Sequence, residues 1–309
     1  MKKQKTVSIK AKLLGVIIPV VIAIVVVLVV AAYQISAGTI KKYSQNLLQS
    51  SVENQASQIE AWLNENLASF QMAKTIIEDL KPSDEELKTI LDGYYGYNSN
   101  YPEGLYVADS TGQLITASES TKKESDVTNS TWYKEGLTRV NMAVGSAYQN
   151  ADGVNVISAS GILNDGSDKV RVISADMTLD RIAIIVNSFI EMNDAEAFLV
   201  DKTSGVILAN RDSSLISQTL GAEGQSHFYQ LTAEKAAEKD YNFATLDGNM
   251  TVFQEVDGTN WLLISYIPTS IVLSDLTQLR NIMIVISVIC IALLCVLICL
   301  LYTSPSPRD

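Results

Sequence analysis

"GLYVADSTGQLITAS", residues 104–118, and "AFLVDKTSGVILAN", residues 197–210, follow one plan. Each runs from an aromatic and aliphatic stretch into a turn carrying Asp and Gly, Asp109 to Gly112 in the first and Asp201 to Gly205 in the second, then out through aliphatic residues. Runs of this composition around such a turn predict a β-hairpin. The continuation repeats too: a polar segment, a short helix and further strands. These are "NVISASGIL" and "KVRVISADMTL" after the first hairpin, and "YNFATLDG", "MTVFQEVDG" and "WLLISYIP" after the second. A repeat at about ninety residues predicts an α+β fold of two similar lobes in tandem, each an antiparallel sheet with helices.

Upstream of the first lobe, residues 34–80 contain no proline. Apolar residues fall at Ile59, Leu63, Leu67, Phe70, Ala73, Ile77 and Leu80, a helical stripe that predicts one long helix. Lys81-Pro82 stops it, and Ser83 to Glu86 has the capping-box pattern of a second, short helix, with Asp84 to Glu86 as its solvated start. Between the lobes "LDRIAIIVNSFI" places Ile182, Ile185, Val186 and Phe189 on one helical face, as a connector does. Pro268 marks the start of an exit helix running through Leu276 and Leu279.

The ends are of another character. Leu13–Tyr33 and Ile282–Tyr302 are almost wholly apolar. Each gives roughly 31 Å of helix, enough to cross a bilayer core of about 30 Å. Lys2, Lys3, Lys5, Lys10 and Lys12 precede the first stretch and predict a cytoplasmic N-terminus, with residues 34–281 extracytoplasmic. That middle region holds 33 acidic and 17 basic residues. A net of −16 argues against nucleic acid and against an anionic membrane surface as partners. Cys290, Cys295 and Cys299 all lie in the second apolar stretch, as small packing residues, leaving none for a disulfide outside. His227 is the only histidine. Catalytic triads and histidine metal sites therefore lack material, and no enzyme, metal or cofactor is expected. "TSPSPRD", residues 303–309, reads as a non-native or truncated tail.

Four pieces in this order, "LYVADSTGQLITAS", "TWYKEGL", "SAYQNADGVNVISASGIL" and "VRVISADMTLDRI", resemble the double Cache sensor domains of bacterial methyl-accepting chemotaxis proteins. The resemblance spans residues 1–302. It implies two PAS-like lobes on a long stalk helix between two transmembrane helices. The implied boundaries are a basic cytoplasmic start (1–12), a first span (13–33), a stalk and following helix (34–94), a membrane-distal lobe (95–178), a connector and membrane-proximal lobe (179–267), an exit helix (268–281) and a second span (282–302). It also implies a homodimer, a small-molecule ligand in the distal lobe, and cytoplasmic signalling partners reached through a missing C-terminal part.

By the same resemblance Trp132 and Tyr133 line the ligand pocket, with Tyr148 and Asp176 completing it. Rings hold an ammonium by cation–π attraction, and an aspartate supplies a charge-assisted hydrogen bond. Amino-acid-binding members carry an arginine two residues before the tryptophan, where Ser130 stands here, and a tyrosine seven before it, where Ser125 stands. The expected ligand is an amine, an amino acid or another small polar metabolite, with a cationic or neutral polar ligand preferred over a free α-amino acid. Lys122, Lys123 and Lys134 are candidates to replace the missing arginine. Asp109 and Asp201 are read as turn residues. The function implied is a chemotaxis transducer. The alternatives are the sensor of a histidine kinase or nucleotide cyclase, or a membrane-anchored binding module that signals nothing.

Overall fold

A computed structural model describes residues 9–150, 153–188, 192 and 194–303. The chain divides into two compact units, one of residues 47–267 and one of the two helical ends, up to Asn46 and from Pro268.

Helix α1 (Ile9–Leu80) carries Pro19 near its start. From Leu48 onward it buries Leu48, Val52, Ile59, Leu63, Phe70, Ala73 and Ile77. Leu80 was expected on this face but is 63 % exposed. The helix ends there, because the following Pro82 disfavours a helical residue before it; Lys81 takes φ +46°. Lys74 joins the buried face instead, its ammonium 2.6 Å from Glu78. Helix α2 (Asp84–Asp92) opens with the capping box of Ser83 and Glu86. Its acidic start is not purely solvated, since Asp84 lies 2.5 Å from Arg171, a buried guanidinium that also holds Asp165 at 2.8 Å.

The first lobe contains β1 (Leu105–Asp109), β2 (Leu114–Ile115), α3 (Thr131–Gly136), β3 (Ala143–Gln149), β4 (Asn155–Leu163) and β5 (Arg171–Thr178), in the sheet order β2-β1-β5-β4-β3. Helix α4 (Asp180–Val186) follows, burying Ile182, Ile185 and Val186; Phe189 lies outside the described residues. Gln55 of α1 donates to the carbonyls of Ile185, Val186 and Ser188 at its C-terminus. The second lobe contains β6 (Glu196–Asp201), β7 (Ile207–Asn210), α5 (His227–Ala237), β8 (Ala244–Leu246), β9 (Asn249–Val256) and β10 (Trp261–Pro268), in the equivalent order β7-β6-β10-β9-β8. The two hairpins thus belong to separate antiparallel sheets, and the fold is α+β with two PAS-like lobes.

The hairpin turns are built alike. The Asp109 carboxylate accepts from the backbone N–H groups of Thr111 and Gln113, and Asp201 accepts from those of Thr203 and Ser204. Gly112 closes the first turn at φ +86°, a conformation open to glycine at little cost. Burial pushes the Asp109 pKa up, but Lys169, Thr111 and the turn amides overcome it and bring it to about 2. Strand β2 is shorter than the aliphatic run around it. Ser118 N–H turns to the Asp92 carboxylate at 2.5 Å instead of extending the ladder.

Among the described residues two helices are long and apolar enough to cross a membrane: the start of α1, and α7 (Ser274–Thr303) with α6 (Thr269–Val272) before it. Their apolar side chains, such as Val16, Val27, Val288 and Leu297, are exposed. Cys290 and Cys295 are free thiols on α7.

Candidate functional site

Strand register decides which first-lobe side chains meet. Tyr106 stands opposite Ser174, Ser160 opposite Ser174, Ser158 opposite Asp176, and Tyr148 opposite Val156. Cross-strand partners share a face, as do alternate residues along a strand. Tyr106, Ala108, Tyr148, Ser158, Val172 and Asp176 therefore lie on one face of the sheet, the face that α3 covers. Gly136 lets α3 lie this close: a Cβ there would come within 2.4 Å of Val172 Cγ1.

Trp132 and Tyr133 point from α3 into this layer, 0 % and 3 % exposed. The indole meets the Tyr106 ring edge to face at 4.9 Å and the Tyr133 ring at 5.8 Å, with Ala108, Val127 and Val172 packed around them. Its Nε1–H donates to Glu124 at 3.0 Å. The Tyr133 hydroxyl is buried without a hydrogen-bond partner among the described residues. Such a group costs about 1–3 kcal/mol.

Beside the rings is a polar hub centred on Asp176. Its Oδ1 accepts from the hydroxyls of Tyr106 at 2.5 Å, Ser158 at 2.5 Å and Tyr148 at 2.9 Å. Its Oδ2 accepts from the Lys122 ammonium at 2.5 Å, and both side chains of this pair are 8 % exposed. The ammonium also lies 4.2 Å from the centre of the Tyr106 ring. Burial first, and the Asp176 charge second, push the Tyr106 and Tyr148 hydroxyls well above the ordinary tyrosine range. Both stay protonated and act as donors. The hub is chemically a carboxylate and an aromatic face converging on one alkylammonium.

Tyr148 and Asp176 thus meet directly, and Trp132 and Tyr133 pack in the adjoining aromatic layer. Ser130 does not join the hub; its hydroxyl donates to the Val127 carbonyl at 2.6 Å, just before α3. Ser125, Lys123 and Lys134 are exposed. Lys122, one of the candidates to replace the arginine, is paired with Asp176. Tyr106, Ser158 and Glu124 were missed. Their only sequence signal is position on a strand or loop, and register, which pairs them with Asp176 or Trp132, is not written locally.

The second lobe provides an internal comparison. Counting back from the turn aspartates, Phe198 occupies the place of Tyr106, and register then puts Tyr266 in the place of Asp176. Phe228 and Tyr229, at the start of α5, match Trp132 and Tyr133. Here the rings fill the space: Phe228 and Tyr266 lie 4.4 Å apart, and Phe198 and Tyr229 5.2 Å. The Tyr266 hydroxyl donates to Glu196 at 2.5 Å. An aromatic pair opening the helix is therefore common to both lobes as core; among the described residues the acidic hub is found in the first lobe.

Tandem lobes of this build, one with a buried charged hub, define a two-lobed PAS-like domain. The Cache domain family model matches residues 32–276, and the chain belongs to that family. Among solved structures, the ligand-binding domain of Mlp24 with asparagine superposes with a TM-score of 0.63 at 17 % identity, covering 78 % of this chain and 98 % of that one. The ligand-binding domain of the Pseudomonas fluorescens chemoreceptor CtaA with L-isoleucine gives 0.61 at 20 % identity, covering 77 % and 98 %. That of the Pseudomonas aeruginosa chemoreceptor PctC with GABA gives 0.56 at 19 % identity, covering 72 % and 99 %. Among curated proteins nothing matches. At these identities the likeness is one of fold.

Proposed function

We propose that the protein is a transmembrane chemoreceptor whose first lobe binds a small ammonium-bearing ligand at Asp176. The observation that carries this reading is the hub itself. A carboxylate held by three hydroxyls beside an aromatic face is suited to an alkylammonium, and the second lobe replaces it with packed rings. Solved domains of this fold hold asparagine, isoleucine or GABA, all of which carry an amino group. Ser130, in the place of a cationic clamp, favours ligands that do not depend on an α-carboxylate. A ligand acts by its difference in affinity for two arrangements of the lobe. The helical ends carry that bias across the membrane to signalling proteins, and the receptor works as a homodimer.

Calorimetry on the full chain in lipid nanodiscs tests the site, with ethanolamine, GABA and L-asparagine as probes. At least one amine probe is expected to bind, and Asp176→Asn to weaken it roughly 10- to 150-fold, as for one hydrogen bond to a charged group. Equal binding by native protein and Asp176→Asn refutes the assignment. The topology has its own test. Cysteines introduced at exposed positions between residues 100 and 250 should react with an impermeant maleimide in intact cells. Reaction only after lysis rules out the two-span arrangement.

A further inference from the structure

The terminus of a lysine side chain is itself a primary alkylammonium. Lys122 Nζ sits 2.5 Å from Asp176 Oδ2 and 4.2 Å from the Tyr106 ring centre. These are the two features, carboxylate and ring face, that recognise an ammonium ligand. We propose that Lys122 is a tethered competitor for the ammonium position and thereby determines the selectivity of the site. The proposal rests on the amine-binding reading above and adds what an incoming amine must displace.

Three observations carry it. First, the two oxygens of Asp176 are used differently. Oδ1 is filled by the hydroxyls of Tyr106, Tyr148 and Ser158, whereas among the described residues Lys122 is the donor to Oδ2. When Lys122 leaves, the carboxylate stays oriented and presents one open acceptor. Second, Lys122 is on neither helix nor strand. It lies between β2 and the turn at Val127–Asn129, so its withdrawal breaks no ladder bond. Third, the loop around it is anchored by its neighbours: Ser118 holds Asp92, and Ser120 and Thr121 hold Glu103. The backbone stays in place while the side chain swings.

A ligand amine replacing Lys122 exchanges like for like at Asp176. Its apparent affinity falls by the fraction of molecules in which the lysine has withdrawn. Simple monoamines, which offer only what Lys122 already offers, are therefore disfavoured. Ligands that add a second polar contact are selected.

The test compares native protein, Lys122→Met and Asp176→Asn, each as the full chain in nanodiscs, by calorimetry with ethanolamine and GABA. Lys122→Met is expected to bind at least one probe about tenfold or more tightly than native protein, the lower end for one charge-assisted hydrogen bond. Asp176→Asn is expected to bind neither tightly. Unchanged or weaker binding by Lys122→Met, with binding still lost in Asp176→Asn, overturns the competitor role and leaves the amine site standing. Binding retained in Asp176→Asn removes the amine site itself. Lys122→Met that binds neither probe while keeping a native circular dichroism spectrum also overturns the proposal. Reductive methylation read by mass spectrometry gives a measure independent of ligand. Lys122 should react much more slowly than exposed Lys123 in native protein and catch up in Asp176→Asn; equal rates in native protein refute the buried pair.

Discussion

Trp132→Ala is expected to lower folding stability by about 3–5 kcal/mol, the usual cost of truncating a fully buried tryptophan. The indole has no exposed surface, meets Tyr106 at 4.9 Å and packs with Val127 and Val172. Its removal leaves a cavity under α3 and deprives Glu124 of the Nε1–H donor. Phe228→Ala, at the matching position of the second lobe, should fall in the same range, because that ring has the same place in its core. Urea unfolding of the full chain in nanodiscs checks both. A loss below about 1 kcal/mol for Trp132→Ala, typical of surface positions, contradicts a core role. Ligand binding should also fail in Trp132→Ala, through displacement of α3, so this variant reports on the fold before it reports on the ligand.

Asp176→Ala carries the second large effect, about 3–5 kcal/mol of stability. Tyr106 and Ser158 are both buried, and their hydroxyls lose their acceptor at Asp176. The Lys122 ammonium loses its counter-charge at a position where both side chains were 8 % exposed. Asp176→Asn keeps an acceptor oxygen and the same shape but also removes the counter-charge of Lys122, so its cost should be smaller than that of Asp176→Ala by the hydroxyl contacts it retains. That contrast makes Asp176→Asn the suitable variant for binding work. Should Asp176→Ala unfold at the same urea concentration as native protein, the four-donor hub does not exist in solution.

The architecture was legible because its signals are local and periodic. The hairpins at 104–118 and 197–210 each place an aspartate where its carboxylate caps turn amides, and that chemistry needs only neighbouring residues. The capping box at Ser83 and Glu86 is equally local. The apolar period of α1 marks its buried face, failing at Leu80, where the helix ends, and at Lys74, whose charge is met one turn on by Glu78. Two apolar stretches long enough to span a bilayer are visible by counting.

The site was legible only in part. Resemblance marked Trp132, Tyr133, Tyr148 and Asp176, but not which of them meet. The sequence by itself determined two tandem lobes, the turn aspartates, the helix starts and the apolar ends, since each follows from contacts between residues close in the chain. Only the tertiary structure decided that Asp176 gathers Tyr106, Tyr148 and Ser158 from three strands, that Lys122 takes its remaining oxygen, and that the same aromatic pair becomes plain core in the second lobe. Those outcomes depend on strand register and on how α3 and α5 lie across their sheets. A shift of one residue would turn Tyr106 or Asp176 to the opposite face, and nothing in either local segment specifies which partner it meets there.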